Sequence, residues 1–193
     1  VNKKSKKSAS AATKISKTEQ ISTGILIIGT GGAGLSLAIK LYEKGRRDML
    51  LVGDSDFRHA HTEVAEGGIN AAFGNMDNEP DTPLVHAIDT YLEGHEIGNL
   101  KMIDKVTKNA PQAIKRLVKM GADFHKEPNG KISQRYFGAH TYRRTIFKGD
   151  MTGFEIMRVL SDQVEKYKIP HMDNLYISKI LVREGQVVGA VGI

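Results

Sequence analysis

The run Gly29-Thr30-Gly31-Gly32-Ala33-Gly34 restricts what this chain can fold into more than any other stretch. It follows Ile25-Leu26-Ile27-Ile28, a short, continuous apolar segment of the kind that forms a parallel strand buried on both faces. Gly29, Gly31 and Gly34 hold the three glycine positions of G-x-G-x-x-G. The first permits a tight turn, the second lets a phosphate approach the backbone, and the third lets a helix pack close to the strand. The spacing predicts that helix over about Ala33–Lys44, with Leu35, Ala38, Leu41 and Tyr42 on one face and Gly45 as its stop. A second apolar run, Met49–Val52, is followed by Asp54, with Asp56 as a further acid in range of a ribose hydroxyl. Strand, glycine loop, helix, strand and acid in this order point to an α/β, Rossmann-like unit that holds a dinucleotide. The alternative is a glycine-rich turn in an unrelated α/β unit.

Charge suggests a nucleic-acid partner until it is mapped. The net charge is +6, but residues 1–20 carry six lysines against one glutamate, so the rest is close to neutral. That lysine- and serine-rich stretch has no hydrophobic period and is expected to be a disordered basic tail over residues 1–22. It has no apolar segment of the secretory type; its frequent serines and near absence of acids leave an organellar leader as the alternative to a solvated tail, with the missing arginine counting against it. No nucleic-acid partner is assigned. With no cysteine, the chain supplies no thiolate to an iron–sulfur cluster or to zinc. No apolar run approaches the roughly 20 residues that span a bilayer.

A second glycine-bearing block is His61-Thr62-Glu63-Val64-Ala65-Glu66-Gly67-Gly68-Ile69-Asn70. Paired glycines let backbone approach a flat cofactor or a phosphate. A histidine just upstream can donate a hydrogen bond to that cofactor, act as a base or bond to it; in such a loop donation is the ordinary role. His59-x-His61 has the spacing of a metal pair, but no other ligand cluster supports it and no metal is assigned. Three helices are expected next. Asp81 caps the first, with Pro83 in its first turn and Leu84, Ala87, Ile88, Tyr91 and Leu92 inward. Asn99 caps the second, with Met102, Ile103 and Val106 inward. Pro111 restarts a third, with Ile114, Leu117 and Val118 inward and Gly121 as its stop. Ile132, Gln134 and Tyr136 alternate as in a short strand. Residues 134–145 then gather arginines, aromatics and a histidine, either to grip a carboxylate through guanidinium forks or as a solvated basic loop. Thr152-Gly153-Phe154-Glu155 fits a capping box opening a helix that buries Phe154, Met157, Leu160 and Val164, and the preceding Gly149-Asp150 could serve a cofactor. Leu175–Val182 and Gln186–Ile193, joined by Arg183-Glu184-Gly185, read as a β-hairpin.

In this order, Ile28–Leu35, Arg58–Asn75, Gly130–Gly138, Arg143–Gly153 and the hairpin resemble the flavoprotein subunit of the succinate dehydrogenase / fumarate reductase family. The resemblance implies an FAD-binding domain over residues 23–193, its N-terminal portion, with inserted helices and the capping domain absent. It places Gly29, Thr30, Gly31, Gly32, Ala33 and Gly34 on the ADP part of FAD, with Gly53 and Asp54 near its ribose. Ala60, His61 and Thr62 match the element whose histidine carries FAD through an 8α bond, and Glu66, Gly67 and Gly68 match the element beside the isoalloxazine. Asp150 joins the cofactor contacts, while Phe137 and Gly138 border the dicarboxylate; Ala139 stands where the family has a second glycine. Glu66 leans toward fumarate reduction, since succinate dehydrogenases tend to carry Gln there. The family's catalytic arginines and histidine are expected after Ile193, so no catalytic residue is assigned in this chain. The implied function is interconversion of fumarate and succinate by hydride transfer at flavin N5. The implied partners are an iron–sulfur subunit holding the clusters, the remaining C-terminal flavoprotein segment or chain, and membrane-anchor subunits. The implied location is the cytoplasmic face of the inner membrane or the mitochondrial matrix side, or the cytoplasm for a soluble homologue. The alternatives are an L-aspartate oxidase-like or thiol-coupled fumarate reductase flavoprotein, or a non-catalytic FAD-holding subunit.

Overall fold

The computed structural model describes residues 19–193, so the tail expected over residues 1–22 lies almost wholly outside the described residues. Strand β1 (Ile25–Ile28) pairs in parallel with β2 (Met49–Val52), in a register running from Ile25 opposite Met49 to Ile28 opposite Val52. Between them lies helix α1 (Gly32–Glu43), which buries Leu35, Ala38 and Ile39 and ends before Gly45. Gly45 takes a φ of 88° and donates to the Tyr42 carbonyl at 2.9 Å, a conformation glycine adopts without steric cost.

Short strand β3 (Ile69–Asn70) leads to α2 (Pro83–Glu93) and α3 (Leu100–Lys119), which pack on each other. Strand β4 (Thr145–Ile146) returns antiparallel to β3, and α4 (Thr152–Lys166) then packs on α1. Strand β5 (His171–Met172) pairs in parallel with β2, giving a three-stranded sheet in the order β1-β2-β5. Strands β6 (Ile177–Arg183) and β7 (Gln186–Gly192) form the expected hairpin, turning at Glu184 and Gly185, both with positive φ. The core is shared by Ile27 and Leu51 of the sheet, Leu35 and Ile39 of α1, and Met157, Leu160 and Val164 of α4. Each fully buried side chain of this size contributes about 1.5–3 kcal/mol. Tyr42 and Tyr167 stack at 4.3 Å where the two helices end.

Several sequence expectations are corrected. Thr82, not Asp81, caps α2, accepting from the Val85 N–H at 3.2 Å; the Asp81 carboxylate is buried against Arg144 instead. Pro111 lies inside one continuous α3 and starts no new helix. Its missing N–H and ring cost about 3 kcal/mol in a helix, which burial of Thr107, Ile114 and Leu117 on both sides of it offsets. On α2, Leu84, Ile88 and Leu92 face outward and His86 is the buried residue, because the interior there already holds Arg144 and its carboxylates. Met102, Val106 and Val118 of α3 are likewise exposed. The capping box does not form. Thr152 Oγ1 accepts from the Lys148 N–H and Glu155 Oε1 from the Asp123 N–H, so both side chains hold neighbouring loops, and Phe154 is exposed. Residues 132–136 make only two isolated bridges, Lys126–Ile132 and Arg135–Thr145, rather than a strand. Gln134 is buried there and donates to the carbonyls of Ala71 and Arg144 at 2.7 and 3.0 Å.

Candidate functional site

The parallel register of β1 and β2 brings their C-terminal ends level, so Gly29 and Gly53 emerge side by side at the same edge of the sheet. That edge is where open α/β sheets place their ligands. Gly29 takes a φ of 113°, the turn the first glycine exists to make. A Cβ on Gly34 would lie 1.8 Å from the Gly29 carbonyl oxygen, so α1 can approach the loop only with glycine there. The N-cap residue Gly31 has no side chain to cap α1 and the first turn holds no acid. The Gly32 N–H is taken by Thr62, which leaves those of Ala33 and Gly34, with the helix dipole, to an anionic acceptor. A loop of this geometry fits a pyrophosphate. Thr30 is buried, and a Cβ on Gly53 would lie 2.3 Å from its hydroxyl oxygen. Gly53 is therefore fixed by packing on Thr30, and its own N–H and carbonyl are spent on Met172 and Leu175. Asp54 follows at the same edge with an exposed side chain.

The second block folds back onto the first. Thr62 Oγ1 accepts from the Gly32 N–H at 3.1 Å, and Ala60 lies against Gly31. His61, between them, has an exposed ring with no hydrogen-bond partner among the described residues. The neighbouring His59 is engaged instead, its Nδ1 sitting 2.9 Å from Glu63 Oε2, and that carboxylate raises its pKa. No group of three or more His, Asp or Glu able to hold a metal occurs among the described residues. The loop rests on the start of α4, where the Gly153 N–H donates to the Ala65 carbonyl at 2.8 Å. A Cβ on Gly153 would lie 2.0 Å from the Thr62 carbonyl oxygen.

Beyond this loop, Glu66, Gly67, Phe137 and Asp150 line an open cleft of roughly 450 Å³, together with Arg135 and Gly149. Gly68 takes a φ of 111°, and a Cβ there would meet the Thr145 side chain and the Ile146 carbonyl at 2.5 and 2.6 Å. The exposed ring of Phe137 lies over Gly67, close enough that a Cβ on Gly67 would approach it to 2.9 Å. Gly138 follows with a φ of 70°.

The arginines read together in the sequence have separate partners. Arg143 is held by Glu79 at 2.6 Å. Arg144 is fully buried between Asp81 at 3.0 Å and Asp89 at 2.7 Å. Burial pushes the Asp81 carboxyl up despite Arg144. Burial also opposes ionisation of Asp89, but donors from Thr141 and Arg144 outweigh it and hold that carboxyl below its ordinary value. His86, beside this cluster, is depressed to about 4 by burial, with the positive charge of Arg144 adding to the effect. Only Arg135 of these three arginines reaches the cleft, and its Nη2 is bonded to the Gly67 carbonyl at 3.1 Å. The sequence offered Arg135 only as one of several arginines in a loop that could grip a carboxylate and Gly149 only beside Asp150, and it offered no site role for Gly153. The available signals were the Gln-Arg-aromatic-aromatic-Gly order at 134–138 and a glycine inside a predicted helix start, where it costs helix propensity.

Residues 24–193 match the family described as FAD binding domain. A fumarate reductase (CoM/CoB) subunit of Methanothermobacter marburgensis is 37% identical over 177 residues, which are 92% of this chain and 32% of that protein. The succinate dehydrogenase flavoprotein subunit of Rickettsia bellii is 33% identical over 86% of this chain and 29% of its own length. Among solved structures, Mycobacterium smegmatis Sdh1 superposes with a TM-score of 0.85 at 36% identity, over 91% of this chain and 31% of that one. The E. coli quinol fumarate reductase, in a structure carrying a FrdA mutation, gives a TM-score of 0.80 at 27% identity, over 89% of this chain and 29% of that one. The chain thus spans about a third of the length of the curated relatives it matches. With its glycine loop, its α/β sheet edge and these matches, it belongs to the FAD-binding domain family, as the N-terminal FAD-binding part found in fumarate reductase and succinate dehydrogenase flavoprotein subunits.

Proposed function

We propose that this chain is the N-terminal FAD-binding part of a flavoprotein that interconverts fumarate and succinate, with FAD bonded to His61. When bound, FAD supplies a two-electron centre that gives or takes a hydride at N5. Gly29 to Gly34 hold the pyrophosphate with backbone donors at the start of α1, and Gly53 and Asp54 lie toward the ribose. Ala60, His61 and Thr62 present the attachment histidine, while Glu66, Gly67, Gly68 and Asp150 flank the flavin ring. Phe137 and Gly138 form one apolar wall against a dicarboxylate and keep water from that side. The single observation that carries the reading is the bond from the Gly32 N–H to Thr62 Oγ1 at 3.1 Å. It ties the histidine loop to the phosphate loop, as one cofactor spanning both would require.

The remaining flavoprotein segment supplies the proton donor and the carboxylate-binding arginines, and an iron–sulfur subunit delivers electrons. Domain limits of 1–22 for the tail and 23–193 for the FAD-binding part belong to the same proposal, as does a location at the inner membrane surface or matrix side. Among the described residues no helix is long and apolar enough to cross a membrane. A second reading, a thiol-coupled fumarate reductase, is favoured by the match to the CoM/CoB enzyme. Acid denaturation tests the attachment: flavin should stay with the protein and be lost in His61→Ser, while the far-ultraviolet dichroism is unchanged. Complete release of flavin from the parent protein would refute attachment at His61. Fumarate-dependent oxidation of a thiol pair, rather than a quinol, by the whole flavoprotein would select the second reading.

A further inference from the structure

Arg135 stands apart from its neighbours in how its guanidinium is used. Its backbone is bridged to Thr145 of β4, the two residues exchanging N–H···O bonds of 2.9 and 3.1 Å. Thr145 in turn faces Asn70 of β3, the strand that begins immediately after Gly68. The Arg135 side chain then crosses back and donates from Nη2 to the Gly67 carbonyl at 3.1 Å. The guanidinium lies over the Phe147 ring, 4.4 Å from its centroid, which fixes the plane of the fork. Backbone pairing, strand and side chain close a ring around the Gly67-Gly68 turn. On the open side of that turn sits the Phe137 ring, two residues along from Arg135 itself. One residue therefore braces both the turn and the aromatic ring that lies on it, both of which line the cleft.

We infer that Arg135 is a positioning residue that sets the Glu66-Gly67-Gly68 turn and, through the chain leading to Phe137, the placement of the ring that packs on that turn at the margin of the cleft. The inference rests on the reading that this cleft receives the flavin ring and the dicarboxylate. Its chemistry is a charge-assisted hydrogen bond to a carbonyl held in a fixed plane, which an ammonium can replace only in part. Nε is buried without a partner, so the fork is held by Nη2 and by stacking.

The test compares Arg135→Gln, Arg135→Lys and, as a control at an arginine paired elsewhere, Arg143→Gln. Amide exchange is followed across residues 66–69 without added flavin, and FAD is then titrated by fluorescence quenching with the flavin dichroism recorded. In Arg135→Gln, exchange at 66–69 should rise about tenfold or more, FAD should bind about tenfold more weakly, and the dichroism band should change. Arg135→Lys should fall between this variant and the parent, and Arg143→Gln should match the parent in all three. Unchanged exchange at 66–69 in Arg135→Gln overturns the inference. So does a lower melting temperature with FAD affinity and dichroism unchanged, or loss of the fold in both Arg135 variants, since either would assign the residue to stability alone. If the parent chain binds no FAD while Arg135→Gln still loosens the turn, the flavin reading falls and the role of Arg135 in setting the turn stands.

Discussion

Gly153→Ala is expected to displace the loop that carries His61 while leaving the helix beneath it intact. Gly153 has no positive φ, so alanine suits its backbone and gains up to about 1 kcal/mol of helix propensity. The obstacle is contact. The new Cβ would lie 2.0 Å from the Thr62 carbonyl oxygen and 2.8 Å from both the Ala65 nitrogen and the Glu63 oxygen. Non-bonded heavy atoms settle at about 3.5 Å or beyond, so the loop must retreat by more than about 1 Å. All three contacts are backbone atoms, so no side chain can swing aside. Overpacking of this kind costs about 1–3 kcal/mol, and the loop can recover most of it by giving up the 3.1 Å bond between Thr62 and Gly32. The expected result is FAD affinity weakened by about tenfold or more with a melting temperature lowered by only a few degrees. Fluorescence titration with FAD and a thermal melt measure both. Gly189→Ala, where the nearest atom to a new Cβ is a Leu181 methyl at 3.7 Å, should change neither. Equal FAD affinity in Gly153→Ala and the parent would refute the reasoning, because the loop would then not bear on cofactor binding.

Other perturbations give separate readings. Gly34→Ala drives a Cβ into the Gly29 carbonyl at 1.8 Å and should abolish FAD binding in the same titration, with the melting temperature falling as α1 is pushed off the sheet. His86 is neutral in the folded chain, with its pKa lowered to about 4 by burial and by the Arg144 charge. Its contribution is full above the unfolded value near 6.5 and is lost as pH falls toward 4, by about 3 kcal/mol in all. Urea unfolding between pH 7 and 4 should show that loss, and His86→Asn should flatten it relative to the parent. Arg144→Met leaves Asp81 and Asp89 buried with no cation between them, and should cost about 3–5 kcal/mol in the same urea assay.

What the sequence disclosed follows from range. The glycine loop, α1, β2 and the hairpin are set by local backbone chemistry, and each was readable from a few adjacent residues. Asn99 capping α3, accepting from the Met102 N–H at 3.1 Å, was legible for the same reason. The errors lie where a distant partner decides. Asp81 has the look of a cap until Arg144 is placed beside it. Thr152 and Glu155 have the spacing of a capping box, but Lys148 and Asp123 claim their oxygens. The apolar stripe of α2 has the right period and faces the wrong way, since periodicity gives a face without saying which side is inside. Strand β5, with only His171 and Met172, is too short to leave a pattern. In the candidate site, the conformation of the glycine loop was legible from its spacing, whereas the contacts of Arg135 with Gly67 and of Gly153 with Thr62 lie with residues that no local spacing reveals.

The pairing of β2 with β5 also has a consequence in time. Leu51 is paired with His171, so the sheet gains its third strand only when chain far beyond the glycine loop is available. Closing so long a loop is slow compared with forming α1 between β1 and β2. During synthesis, the half of the candidate site built on the glycine loop can therefore assemble first. The half that braces the histidine loop, α4 with Gly153, arrives last. The order of assembly predicts that nascent chains ending before residue 150 present the phosphate loop without the support that holds His61 against it.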